Sequence, residues 1–159
     1  GKRKLESIYS KTYQLRSSGI KTYINQNSIN MKYLSDYMEK PQTELFKKTG
    51  TIFAFSDKQF EEQEVKGKKY SALGSGMYTQ KGNEKEVVET LEKIYNKAVN
   101  QDLKDNGKDQ VILRELLNHE AFYTGEIEDT IHSLEGYKEI SEDDISQIFG
   151  KNWGEYSDC

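Results

Sequence analysis

The sequence predicts an α+β fold: a small antiparallel or mixed sheet backed by several helices, with a C-terminal half that is entirely helical. Three observations carry this. Two short runs rich in β-branched and aromatic residues, 51–55 and 70–78, stand among helical patterns. From Asn83 onward the apolar residues recur at helical spacing and never return to alternation. No internal repeat and no heptad run offers a competing architecture.

At the head, Tyr9, Thr12, Tyr13, Ile20, Thr22, Tyr23 and Ile24 surround Ser17-Ser18-Gly19, a composition of two short strands and a turn. A helix through Leu5, Ile8 and Tyr9 fits almost as well. The polar stretch 26–30 then reads as a linker, so residues 1–30 form an arm and 31–159 a single α+β domain. Met31, Tyr33, Leu34, Tyr37 and Met38 open that domain at helical spacing. Pro41 is placed at the start of a second helical piece, closed by Gly50 after Leu45 and Phe46. Thr51 to Phe55 is a buried strand. Ser56 with Gln59 gives a capping-box signature for a helix over Asp57–Gln63. After a turn at Lys66-Gly67-Lys68, residues 70–78 form a second strand with a bend at Gly74-Ser75-Gly76.

The helical half begins with Asn83 as cap, answered by Glu86, and a stripe of Val87, Val88, Leu91, Ile94, Tyr95 and Ala98 that stops at Asn106-Gly107. A helix from Asp109 follows with Ile112, Leu116, His119 and Tyr123 on one face. A third holds Ile127, Ile131 and Leu134. Ser141 with Asp144 opens the last, which carries Ile145, Ile148 and Phe149 and closes at Gly150.

With 34% hydrophobic and 31% charged residues and a mean hydropathy of −0.91, the 159-residue chain supports one modest core. One proline and twelve glycines exclude collagen-like and low-complexity classes. No apolar run approaches the ~20 residues of a membrane helix, so a soluble protein with no membrane partner is expected. Cys159 is the sole cysteine and Gly1-Lys2-Arg3-Lys4 opens no apolar leader, which together point to a cytoplasmic protein. The formal charge of −4 hides a gradient. Residues 1–30 carry six basic side chains against one acidic, 31–119 fifteen of each, and 120–159 two basic against eleven acidic.

The stretch 34–40, then 51–63, 70–77 and 118–129, resembles small uncharacterised proteins of bacteriophages and prophages of gut and Gram-positive bacteria, over roughly residues 31–150. Asn118-His119-Glu120 is the most specific part, and the basic arm lies outside the resemblance. What the resemblance implies is provenance: an accessory protein of the infected bacterial cytoplasm, or of the virion. It brings no catalytic residue.

Asn118, His119, Glu120 and Tyr123 form the densest reactive cluster, where His119 with Glu120 could act as base and orienting carboxylate of a hydrolase. The His-Glu-x-x-His zinc pattern fails because Tyr123 stands at its second histidine. A corner between helices, with His119 bonded locally and Thr124 capping, is the simpler reading. Gly74 and Gly76 would let a backbone approach a phosphate, and with the His119 corner they form the alternative of a small-ligand or nucleotide-sequestering protein. Without a Walker pattern the glycines read first as a bend. No cofactor, no metal and no catalytic residue is assigned, and an enzyme is the lesser reading. The arm's Lys2, Arg3, Lys4, Lys11, Arg16 and Lys21 interleave with tyrosines as a nucleic-acid contact would. The leading expectation is a non-enzymatic accessory protein that modulates, by inhibition, a host or phage protein with a basic surface, or a nucleoprotein. Its surface would be acidic and tyrosine-rich: Glu126, Glu128, Asp129, Asp143 and Asp144 as rim, with Phe149, Trp153 and Tyr156 as aromatic anchors. Self-association and a structural or cargo role in a virion complete the expectations.

Overall fold

In a computed structural model, residues 32–157 are described. The arm, with its six nucleic-acid candidates Lys2, Arg3, Lys4, Lys11, Arg16 and Lys21, lies outside those residues. The fold is α+β, with seven helices and one three-stranded antiparallel sheet among the described residues. They divide into two compact units, one of residues 35–98 and the other of 32–34 with 99–157.

The first unit opens with α1, Leu34–Thr49, which runs unbroken through Pro41 instead of starting anew there. Proline in a helix interior offers no N–H to the ladder and generally costs about 3 kcal/mol. Burial of Met38, Gln42 and Leu45 on both sides of Pro41 outweighs that loss. Gly50, at φ +65°, ends the helix in the left-handed region. The chain then enters β1, Ile52–Phe53, shorter than the five-residue strand expected, because Phe55 has left the sheet and is 71% exposed. Ser56 caps α2, Asp57–Gln63, by accepting from the Gln59 amide at 3.2 Å. The Gln59 side chain reaches one residue further back than a capping box requires and accepts from the Phe55 amide at 2.8 Å.

Residues 70–78, expected as one bent strand, are two: β2, Tyr70–Gly74, and β3, Met77–Gln80. Ser75 and Gly76 between them have φ of 52° and 76°, the two positive values of a type I′ hairpin turn. The sheet order is β1-β3-β2. Under it, three buried threonines join helix to sheet: Thr51 Oγ1 lies 2.7 Å from Thr49 Oγ1 and 3.1 Å from Thr79 Oγ1. Thr79 Oγ1 and Asn83 Nδ2 both donate to the Thr49 carbonyl, at 3.2 and 3.0 Å. Asn83 thus ties the end of α1 to the start of α3, Glu84–Asn106. Glu86 does not answer it; it pairs with Lys48 at 2.6 Å, while Glu84 accepts from the Gly82 amide and the Ser71 hydroxyl.

α3 keeps one stripe inward, Val87, Leu91, Ile94, Tyr95, Ala98 and Val99, and stops at Gly107. The second unit continues with α4, Lys108–Asn118; α5, the single turn Ala121–Thr124; α6, Glu128–Ser133; and α7, Glu142–Tyr156. Its core is built from Val111, Ile112, Leu116, Ala121, Phe122, Leu134, Tyr137 and Ile145. Ser141 and Asp144 form a complete capping box at the start of α7. The helix does not close at Gly150 but passes through it and Gly154, two positions where a side chain would meet open space. Tyr123, expected on the inner face with His119, is 87% exposed because α4 ends at Asn118 and α5 turns it outward.

Ser75 holds a left-handed conformation that asparagine adopts more readily. We expect Ser75→Asn, which creates the favoured Asn-Gly pair, to raise unfolding free energy by up to about 1 kcal/mol in urea titration. Removal of the α7 cap by Ser141→Ala is expected to lower it by about 1 kcal/mol in the same measurement.

Candidate functional site

Charged side chains rarely enter a core of this size, yet α3 and α4 turn three of them inward. Asp102 follows Ala98 by four residues on the apolar stripe of α3, and Arg114 and Glu115 interrupt the run Val111, Ile112, Leu116 on α4. Asp102 and Arg114 side chains are wholly buried and Glu115 nearly so. The Arg114 guanidinium grips Asp102 with two parallel bonds of 2.8 and 2.9 Å, donates through Nε to Glu115 at 2.9 Å, and reaches the Lys32 carbonyl at 3.1 Å. Tyr137 and Asn106 fill the remaining positions on Asp102, at 2.6 and 2.7 Å.

Burial opposes charge on Arg114, but Glu115 and Asp102 more than reverse this and hold the guanidinium firmly protonated. Burial likewise pushes the Glu115 carboxyl upward, and the Arg114 charge with His119 beside it brings it below its usual range. The Tyr137 phenol is driven up chiefly by burial, so it stays a neutral donor to Asp102.

His119, the C-terminal cap of α4, is half-buried, and its Nε2 lies 3.5 Å from Glu115 Oε2. The carboxylate it faces is therefore that of Glu115. Glu120, the partner expected from the sequence, is exposed and carries φ +55°, a left-handed turn that starts α5. Asn118 is buried and Tyr123 exposed. Thr124 accepts from the Glu126 amide at 3.2 Å, which makes it a turn former; Ile127 takes the cap position of α6 without a side-chain bond. Among the described residues no group of three or more His, Cys, Asp or Glu is placed to hold a metal. The other two ligand candidates, Gly74 and Gly76, belong to the first unit and serve the hairpin.

The C-terminal anchors come together. Phe122 of α5 stacks on Phe149 with centroids 5.2 Å apart and leans on Tyr156 at 5.3 Å. Phe149 meets Trp153 edge-on at 5.2 Å. Phe122 is buried, Phe149 and Tyr156 are half-buried, and Trp153 is 44% exposed, so the cluster grades from core to solvent. Tyr123, the next residue of α5, is exposed. Of the expected rim, Glu126, Glu128, Asp129 and Asp143 are exposed, whereas Asp144 is engaged by Ser141 and by Lys108 at 2.6 Å. The bond to Lys108 and those to Ser141 hold the Asp144 carboxyl down at about 2.

In the first unit, a cleft of about 480 Å³ opens between Phe55, Asp57, Phe60, Gly76 and Tyr78. Sequence reasoning passed over Asp102, Arg114, Glu115 and Phe55. The first three were detectable as charges on apolar stripe positions. Phe55, inside an apolar run, carried no such mark.

A family model matches residues 34–154, and the family it describes has no known function. No curated protein and no solved structure matches the chain.

Arg114→Met leaves Asp102 and Glu115 buried without their counter-charge, and is expected to cost about 3–5 kcal/mol in urea unfolding. Glu115 and Asp144 have folded-state pKa values below their ordinary 4.5 and 3.8. Their contribution to stability is complete above those values and is lost as pH falls through the lower folded ones. Unfolding midpoints should therefore hold level from neutral pH to about 5 and decline towards 2, with a shallower decline for Asp144→Asn.

Proposed function

Because the chain belongs to the DUF7659 family of unknown function, we propose its role from surface chemistry: a non-enzymatic module that binds a protein with a basic surface. The observation that supports this reading is the graded aromatic cluster Phe122, Phe149, Trp153 and Tyr156 in a segment dense in carboxylates. Residues 120–157 carry ten acidic side chains against Lys138 and Lys151. Aromatic rings whose inner edges are packed and outer edges exposed lose little conformational freedom on binding, which makes them effective anchors. Carboxylates around such anchors speed the approach of a basic partner and discriminate against acidic ones. A phage-borne accessory factor that inhibits a host protein in the cytoplasm, or acts in the virion, is part of the same proposal, supported by the sequence resemblance alone.

A hydrolase reading has less to stand on, since His119 is directed at a carboxylate already engaged by Arg114.

The test is retention of bacterial lysate proteins on immobilised full-length chain, compared with a Trp153→Ala, Tyr123→Ala double variant. One protein is expected to bind the parent at about 0.1 M salt, to weaken strongly near 0.5 M, and to be lost with the variant. Retention indifferent to both salt and variant would overturn the proposal.

A further inference from the structure

Phe55 departs from every rule that buries large apolar rings. It is 71% exposed, yet the backbone around it is pinned on all sides. The Phe55 amide donates to Gln59 Oε1 at 2.8 Å, the Ala54 amide to the Gly76 carbonyl at 2.8 Å, and Gln63 Nε2 to the Phe53 carbonyl at 2.6 Å. Gly76 supports the ring directly: a β-carbon there would lie 2.6 Å from Phe55 Cε1. The ring is thus held out from the sheet by a rigid frame, over a cleft it shares with Phe60, Tyr78 and Asp57. Phe60 and Tyr78 lock each other edge-on, with centroids 5.0 Å apart.

We propose that this cleft is a binding site for a guanidinium group, the side chain of an arginine in a basic peptide segment. The cleft is lined by three aromatic residues together with Asp57, and a guanidinium is the common protein group that pairs with both kinds of side chain. Its plane stacks on aromatic rings while its fork of N–H donors pairs with a carboxylate. The charge around the site favours a cation. Of the residues that line it, Asp57 alone is charged. A phosphate-bearing ligand would instead meet that like charge. Lysine carries the same charge but neither the plane nor the fork, so it gains only the electrostatic part. The site belongs to the first unit and stands independently of the α7 aromatic face.

The experiment is an NMR titration of the isotope-labelled full chain with N-acetyl-arginine amide, N-acetyl-lysine amide and guanosine. Arginine amide is expected to shift the amide signals of Phe55, Ser56, Gly76 and Tyr78 in a saturable way. Lysine amide should give shifts about fivefold smaller at equal concentration, and guanosine none. Phe55→Ala removes only an exposed ring and should abolish the shifts while the remaining spectrum stays that of the folded chain. Asp57→Asn, which keeps every ring, should weaken them severalfold. Equal response to lysine and arginine, a response to guanosine, or no response to arginine would each overturn the proposal.

Discussion

A guanidinium with no access to water sits at the centre of the second unit, and its geometry leaves little freedom to anything around it. Arg114 binds both oxygens of Asp102, which receives further bonds from Asn106 and Tyr137, so the carboxylate is saturated. The end of α3, the middle of α4, the backbone at Lys32 and the connection before α7 are thereby referred to one point. Replacing such a cluster wholesale with apolar side chains is often neutral or stabilising, whereas removing one member strands the others. Its value therefore lies in permitting one arrangement: an Arg114 shifted by a helical turn would leave buried charges without partners. Tyr137 stands four residues before the Ser141 cap, so this arrangement also sets where α7 and its aromatic face begin.

The first unit achieves the same end with neutral groups. Thr49, Thr51 and Thr79 pass hydrogen bonds among hydroxyls, and the Thr49 carbonyl collects donors from β3 and from Asn83 at the head of α3. Both ends of this 23-residue helix are thus anchored by buried polar contacts, one uncharged and one ionic, while its apolar stripe supplies the area between them. Hydrogen bonds fix direction and spacing where apolar contact alone tolerates sliding.

What could be read in the sequence was local in origin. Ser56 with Gln59, Ser141 with Asp144, and the stop at Gly107 depend on residues within one turn of each other, and the structure places helix ends at all three. The features that escaped depend on distant partners. Pro41 reads as a boundary unless one knows that Met38 and Leu45 are buried on either side of it. Gly150 reads as a stop unless Phe122 is there to stack on Phe149 and Tyr156 beyond it. Ser75 conceals a hairpin because serine is uncommon in the left-handed pair that the turn needs. At the candidate sites the same division holds. Phe149, Trp153 and Tyr156 were legible as aromatic anchors, while their place on one helix that continues past Gly150, the pairing of His119 with Glu115 and the exposure of Tyr123 and Phe55 follow only from the path of the chain.

Trp153 is the chain's single tryptophan, and its indole stands partly in water at the outer edge of the aromatic cluster. Its fluorescence therefore reports on that face. A partner that covers the face would dehydrate the indole and shift its emission to shorter wavelength, whereas unfolding, which exposes the part of the residue that the fold covers, moves the emission the other way. The protein carries an optical probe at the place where its surface chemistry is most concentrated, and the two kinds of event leave it with opposite colours.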